Sequence, residues 1–506
     1  MVLQVLYLVV YYTILHPLAQ YPGPFLARFT NLYSAYHAWT GDIHLDIYRC
    51  HQKYGDHVRY APNRLLINTA GALHDIYDRH AHVKKFKNYR VLSKQAPNTL
   101  TLRDKVQHSR RRRVLSQAFS KRGVESMQPI ILARLERLSE VLRSQVPDSS
   151  GWTSPIDMAQ ICKPTLPVNH LAFDTMTSVS FGIDFDAMRD PKYRYVMDAI
   201  DESNVRQGVL FQAEGLSTAK LDRRLFPASI VAASQFSRFI RRLLATRLQT
   251  TPSTTTTTTT TNDIFSFLQQ CQDPKTGESL TLTELSTETA TFIVAGSDTN
   301  STTLSALTHY LTGSSTSYLR LKDEIRGTFD TLAEISLGPK LNSCVFLRAC
   351  ISESLRLSPP GGSSLWREVE AGGTVIDGTF VPGGCEVGVG IYSIHHCGRY
   401  YSDPGEFEPE RWIVGRGRGS EGEDKWKDGV SPYMPFSIGP RSCIGKPLAM
   451  AQVMLTVARM VWEFELRRAE LGEEWVGTGV RAEEYVLEDH VTARKRGPVV
   501  CLRGRE

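Results

Sequence analysis

The apolar positions of this chain fall mostly at helical spacing. Segments 105 to 119, 169 to 181, 283 to 311, 318 to 331 and 344 to 357 repeat apolar residues three or four apart and are predicted helices. Residues 448 to 461 carry the same period toward the carboxyl end. Strand-like runs are short: 64 to 67, 374 to 376 and 387 to 390. The pattern predicts a mainly α chain with a small β region. No period of about 20 to 50 residues repeats, which excludes a solenoid or propeller.

Two segments break this rhythm. Residues 2 to 15 are apolar apart from Gln4 and Thr13, and no positive charge precedes Arg28. The run is shorter than the roughly 20 residues of a spanning helix, and it lacks the basic start and cleavage site of a secretory signal. It is read as a short membrane anchor within residues 1 to 20, with a buried core helix as the alternative; Pro22, Gly23 and Pro24 end it. The second segment, 250 to 262, is dominated by threonine. A β-branched homopolymer has no amphipathic period, so a disordered loop is expected there. It joins a helix over 236 to 249 to one that Asp263 caps. Length alone suggests several domains, but helical pattern continues across the loop, and 21 to 506 is read as one domain.

Composition narrows the functions. A formal charge of +6 on 506 residues calls for no nucleic-acid partner. Nine cysteines, odd in number and without a CxxC pair, read as reduced thiols. His395, His396 and Cys397 have no partner ligands at zinc spacing, so they are not read as a metal site. The alternating Gly and Arg of 415 to 419 follow no strand and open no helix, which makes them a surface insertion rather than a nucleotide loop.

Cys443 stands between Gly439 and Gly445, just ahead of the 448 to 461 helix. A thiolate needs donors and positive potential, and a helix start supplies both. Glycines admit a flat cofactor close to the backbone, and Arg441 is placed to pair with a carboxylate on it. A lone cysteine is more often a packing residue. Here, however, Phe436, Gly439, Arg441, Cys443 and Gly445 complete F-x-x-G-x-R-x-C-x-G, which resembles the haem-binding signature of the cytochrome P-450 superfamily. Glu353 and Arg356, the Phe407 to Trp412 segment with Arg411, and Ala295 to Thr299 resemble further family motifs in the family's order, so the likeness covers nearly all of the chain from Pro22 onward.

The resemblance implies the cytochrome P-450 fold, with haem b between the long central helix and the Cys443 loop. In it, Cys443 is the axial thiolate that favours O–O cleavage. Phe436, Gly439, Arg441 and Gly445 shape the haem loop, and Arg112, His108 and Arg367 are further haem contacts, His108 standing where the family has Trp. Glu353, Arg356 and Arg411 form a structural triad behind the haem. Asp298 and Thr299 are the catalytic pair that guides protons to dioxygen. Asn300 stands where the family usually has Thr or Ser, and its glycosylation sequon is taken as chance. The implied reaction inserts one atom of O2 into an apolar organic substrate. Electrons come from NADPH through an NADPH-cytochrome reductase, with a cytochrome b-type protein as a second donor. Arg110 and Arg111 are expected in a basic docking patch for an acidic reductase. Residues 16 to 24, together with the apolar start of the chain, and Trp39 to Asp42 are similar to fungal microsomal members, which implies secondary metabolism and an endoplasmic reticulum membrane with the catalytic body in the cytosol. Relatives that rearrange peroxides without a reductase, and a non-catalytic haem carrier, are the rival readings; both are disfavoured by the Asp298–Thr299 pair. Substrate contacts are expected from 85 to 105, 200 to 230 and 361 to 365, where the sequence carries no readable chemistry.

Overall fold

The structure, a computed structural model, describes residues 2–93, 96–147, 151–159, 168–249, 263–413, 431–469 and 483–505. The threonine-rich loop, the 415 to 419 run and Cys162 lie outside them. Helix dominates, as the apolar period predicts. Lys105–Ala118, Val168–Phe181, Leu282–Gly313 and Val345–Leu357 match their expected spans within two residues. The segment expected at 318 to 331 runs instead as Ser315–Thr328. Ser314 accepts from the Ser317 N–H and starts it early, a polar cap that apolar periodicity does not register. Asp263 caps Ile264–Gln270 as expected, accepting from the Ser266 N–H at 2.8 Å.

The central helix Leu282–Gly313 begins with a capping box. Thr281 accepts from the Glu284 N–H, and Glu284 accepts from the Thr281 N–H at 2.9 Å. Around it pack Lys121–Arg143, Val168–Phe181, Val345–Leu357 and Lys446–Glu463, whose apolar faces merge into one core. Val124, Met127, Ile131, Leu135, Leu138 and Leu142 show how the period builds that core, each worth about 1.5–3 kcal/mol when buried.

The β region is small. Its main sheet runs in the order His57–Ala61, Arg64–Ile67, Glu386–Gly388, Arg367–Val369, Val83–Lys85. The strand expected at 387 to 390 stops at Gly388, because Gly390 caps the short helix Ile391–His395. Antiparallel register sets Lys85 opposite Arg367, so two cations share one sheet edge. Near the carboxyl end, Leu487–Asp489 and Ala493–Lys495 form a hairpin.

Residues 2 to 15 are not a core helix. Val2–Val10 continues as a π-helical turn, Tyr11–Leu15, and Leu3, Leu6, Tyr7, Leu8, Ile14 and Leu15 are exposed. At 1.5 Å per residue the segment reaches about 21 Å, short of the roughly 30 Å hydrocarbon layer. No helix among the described residues is long and apolar enough to cross a membrane.

The expected basic patch is corrected too. Arg110 pairs with Glu284 at 2.5 Å, and buried Arg111 pairs with Glu284 and Glu288 at 3.0 and 3.4 Å. Arg113 is held by Asp273 at 2.6 Å. These guanidiniums tie Lys105–Ala118 to its neighbours and are already neutralised, so they do not form a docking surface for an acidic partner. The eight described cysteines are unbridged, as expected.

Candidate active site

The Cys443 loop is shaped by backbone that only certain residues tolerate. Gly439 has φ +67°, and a Cβ there would lie 2.2 Å from the Tyr77 carbonyl oxygen, so both conformation and space require glycine. The Cys443 N–H donates to the Phe436 carbonyl at 2.7 Å and closes the loop. Gly445 then caps Lys446–Glu463. This sets the thiol at a helix start, where the Gly445 and Lys446 N–H groups point at sulfur. Enclosure pushes the Cys443 thiol up; those two donors and the charges of Arg112 and Lys446 oppose it and favour the thiolate. Cys443 is enclosed by protein yet keeps accessible surface, since it faces an interior space. A Cβ on Gly445 would sit 3.8 Å from the sulfur. Phe436 flanks the helix start, its ring centroid 5.6 Å from the Lys446 ammonium.

Beside the loop opens a cavity of about 690 Å³ lined by Lys85, His108, Arg112, Arg367 and Arg441. Arg112 Nη1 donates to the Ser442 carbonyl at 2.5 Å, and Arg441 Nη1 to that of Leu102 at 2.7 Å. Arg367 Nη1 donates to the carbonyls of Leu365 and Trp366 at 3.0 and 3.1 Å. All three bond to neutral carbonyls rather than to carboxylates. Burial, then Arg441, Lys85, Arg112 and Arg367, hold His108 down at about 3, so it is neutral. Buried Lys85 is lowered by desolvation first and by Arg367 and Arg441 second. Asp78 is the one carboxylate lining this wall. Guanidiniums gathered against open volume call for an anionic group, and the two propionates of haem, with the thiol beside them, fit this donor set.

The central helix carries the second motif. Ala295 is exposed and Thr299 half-buried, while Ser297, Asp298 and Asn300 are buried. A Cβ on Gly296 would lie 2.5 Å from the flexible end of Met176, which would have to shift. The Thr299 hydroxyl donates to the Ala295 carbonyl at 2.6 Å. Asp298 turns away from Thr299 to the carboxyl-terminal hairpin, accepting from Lys495 Nζ at 2.8 Å and from the Thr492 hydroxyl. Thus the expected acid–alcohol pair is adjacent in sequence but does not share one face. Asn300 is buried and donates to Gln452 at 2.7 Å, pinning the central helix to Lys446–Glu463. Its burial agrees with discounting the sequon.

Glu353, Arg356 and Arg411 come together as the motif implies, all buried. Arg356 grips Glu353 with two bonds of 2.9 and 2.8 Å, Arg411 Nε adds a third at 2.9 Å, and Trp412 Nε1 a fourth at 2.9 Å. Burial alone would raise the Glu353 carboxyl, but Arg356 and Arg411 hold it below the usual range. Arg356 also donates to the His395 carbonyl at 2.9 Å, and His395 Nε2 accepts from the Met434 N–H at 2.9 Å. That chain of contacts runs from the helix to the strand of polypeptide entering the cysteine loop. It also accounts for His395 without a metal, and among the described residues no cluster of three His, Cys, Asp or Glu could hold one.

Sequence reasoning missed Lys85, Thr492 and Lys495. A period-two reading of Val83 to Lys85 puts the lysine on the inward face beside Val83, the one signal that pointed to it.

The cytochrome P450 family model matches residues 21–476. A cytochrome P450 monooxygenase of Penicillium oxalicum, poxM, is 46% identical over 98% of this chain and 92% of its own length. AKT7 of Alternaria alternata, likewise a cytochrome P450 monooxygenase, is 41% identical over 97% of this chain and 94% of its own. A solved structure, the haem domain of cytochrome P450DA, superposes with TM-score 0.72 at 16% identity, covering 96% of this chain and 97% of that one. With a thiol presented at a helix start, a cationic wall beside it, and relatives aligned along almost its full length, the chain belongs to the cytochrome P450 family of haem-thiolate monooxygenases.

Proposed function

We propose that this protein hydroxylates or otherwise oxygenates an apolar, middle-sized organic substrate in fungal secondary metabolism. Electrons come from NADPH through an NADPH-cytochrome reductase, with a cytochrome b-type donor as a second source. The observation that carries the reading is the Cys443 thiol at its helix start beside the cationic cavity wall. When bound, haem supplies reductive activation of dioxygen. Cys443 would hold the metal, and Arg112, Arg367, Arg441, Lys85 and neutral His108 would bind the group's carboxylates. Phe436, Gly439 and Gly445 shape the loop that would approach it. Glu353, Arg356 and Arg411 brace that loop. Thr299, its proton engaged by Ala295, keeps oxygen lone pairs free to accept a hydrogen bond and order incoming water. Asp298, whose carboxylate accepts from Lys495 and Thr492, would have to leave those partners to relay a proton toward Thr299.

Thr299→Ala therefore separates oxygenation from oxygen consumption. With reductase and NADPH, the share of dioxygen leaving as hydrogen peroxide is expected to rise several-fold while haem content stays unchanged, and Thr299→Ser restores the balance. Equal peroxide yield in Thr299→Ala and the native protein would overturn the role of Thr299.

The exposed apolar face of residues 2 to 15, continued by exposed Phe25 and Leu26, supports attachment to the endoplasmic reticulum with the catalytic body in the cytosol. The helix inserts without crossing. Removal of residues 2 to 15 is expected to weaken co-flotation with phosphatidylcholine vesicles by at least about tenfold, given some 1.5–3 kcal/mol per large apolar side chain. Undiminished flotation would contradict it.

A further inference from the structure

Residues 97 to 103 form a short strap between the central helix and the cationic wall. Asn98 and Thr101, both buried, close it on itself: the Thr101 N–H donates to Asn98 Oδ1 at 2.9 Å, and the Asn98 N–H to Thr101 Oγ1 at 3.0 Å. On one side this turn sits on the central helix. Glu288 Oε1 accepts from both the N–H and the hydroxyl of Thr99 at 2.6 Å, and one helical turn further on Thr291 Oγ1 accepts from Asn98 Nδ2 at 2.7 Å. Glu288 is only 1% exposed. Its nearest cation, Arg111, already has Glu284 at 3.0 Å and donates to the Pro97 carbonyl at 2.5 Å, so neutralising Arg111 does not require Glu288. On its other side the strap receives the wall. Lys85 Nζ donates to the Leu100 carbonyl and Arg441 Nη1 to the Leu102 carbonyl at 2.7 Å, while Arg103 Nε returns a bond to the Lys85 carbonyl at 2.9 Å. Lys85 and Arg441 line the cavity, so the strap holds two cations of its wall.

We propose that Glu288 is a positioning residue for the haem-binding cations: by seating Thr99 it fixes the Leu100 and Leu102 carbonyls, and these carbonyls hold Lys85 and Arg441 in place at the cavity wall. The proposal rests on the reading that haem carboxylates bind that wall. Long cationic side chains have many rotamers, and a fixed acceptor selects one of them before any ligand arrives, which lowers the entropy lost on binding. When the seat is lost, the strap loosens, Lys85 and Arg441 lose their fixed acceptors, and an anionic group is held less tightly. Glu288 is not itself part of the cavity wall. It controls haem retention from the far side of the strap, through Thr99 and the two leucine carbonyls. The same contacts give Asn98 and Thr291 a smaller share in that control, since they hold the strap by one hydrogen bond where Glu288 holds it by two.

The test uses the full-length haem-loaded protein. Haem release is timed by transfer to excess apomyoglobin and strap mobility by hydrogen exchange of the 98–102 amides, while the carbon-monoxide spectrum checks thiolate ligation. Glu288→Leu is expected to speed strap exchange and haem release by about tenfold each, the loss of two hydrogen bonds, while exchange in Val345–Leu357 stays native. Glu288→Gln keeps an oxygen acceptor for both Thr99 donors and leaves both rates within about twofold of native. Thr291→Val removes one acceptor with Glu288 in place and moves both rates the same way by about threefold, which reads the strap even where Glu288→Leu does not fold. Faster strap exchange with native haem release overturns the proposal, because the wall then stands without the strap. Native strap exchange in both Glu288→Leu and Thr291→Val overturns it too, since Glu288 does not then seat the turn. Faster exchange throughout Val345–Leu357 alongside faster haem release shows general loosening and overturns it as well. A native protein without a thiolate-type spectrum after haem loading sinks the haem reading itself, and the proposal falls with it.

Discussion

Cys443→Ala is expected to remove the red-shifted Soret band that reduced, carbon-monoxide-bound protein shows under thiolate ligation, and to lower reductase-driven oxygen consumption on the order of a thousandfold, about 4 kcal/mol of barrier. The substitution is a clean one. The loop is closed by the Cys443 backbone N–H on the Phe436 carbonyl and by the glycine conformation at 439, none of which needs sulfur. Lys85, Arg112, Arg367 and Arg441 still line the cavity wall, so haem uptake falls less than activity. No other described thiol offers a substitute. Burial pushes Cys50 up to about 12 and Cys344 and Cys385 up to about 11, which marks them as neutral packing residues. A thiolate-type spectrum surviving in Cys443→Ala would place the ligand elsewhere.

How much of this was legible in the sequence depends on how local the determinant is. Helix positions followed from apolar period, because each long helix buries one stripe against the same core. The cysteine loop was legible because its constraints act within ten residues: glycine where φ is positive, a thiol where the helix opens. The triad was legible as a motif, since Glu353 and Arg356 lie one helical turn apart, although Trp412 and the His395 link were not. What failed depended on contacts between distant segments. Arg110 and Arg111 read as a basic surface until Glu284 and Glu288 were seen opposite them. Asp298 and Thr299 read as one functional pair because they are neighbours in sequence, but successive residues on a helix point about 100° apart, and a lysine almost two hundred positions away captures the acid. Lys85 entered the site through its strand register with Arg367, which no local pattern specifies.

Glu353→Gln is expected to destabilise the fold by about 3–5 kcal/mol, the cost of breaking a buried ion pair from one side. The reason lies in what remains. Arg356 and Arg411 stay buried, each having lost a carboxylate, and the carboxamide accepts through one oxygen where the carboxylate accepts through two. Against a total stability of roughly 5–15 kcal/mol the loss is large. Because Arg356 reaches the His395 carbonyl and His395 accepts from Met434, disorder should spread to the chain entering the cysteine loop, so haem retention falls together with the unfolding midpoint. The pH dependence has a fixed sign. The Glu353 carboxyl sits below its ordinary range when folded, so its contribution is complete above the unfolded carboxyl's titration and is lost only as pH falls through the lowered folded value. Native protein and Glu353→Gln should therefore differ most at neutral pH and converge in acid. Denaturant unfolding of both, with haem absorbance and tryptophan fluorescence read in parallel, measures this directly. A variant with native midpoint and native haem retention at neutral pH would mean that the two arginines find other partners, and that the brace is not what fixes the loop.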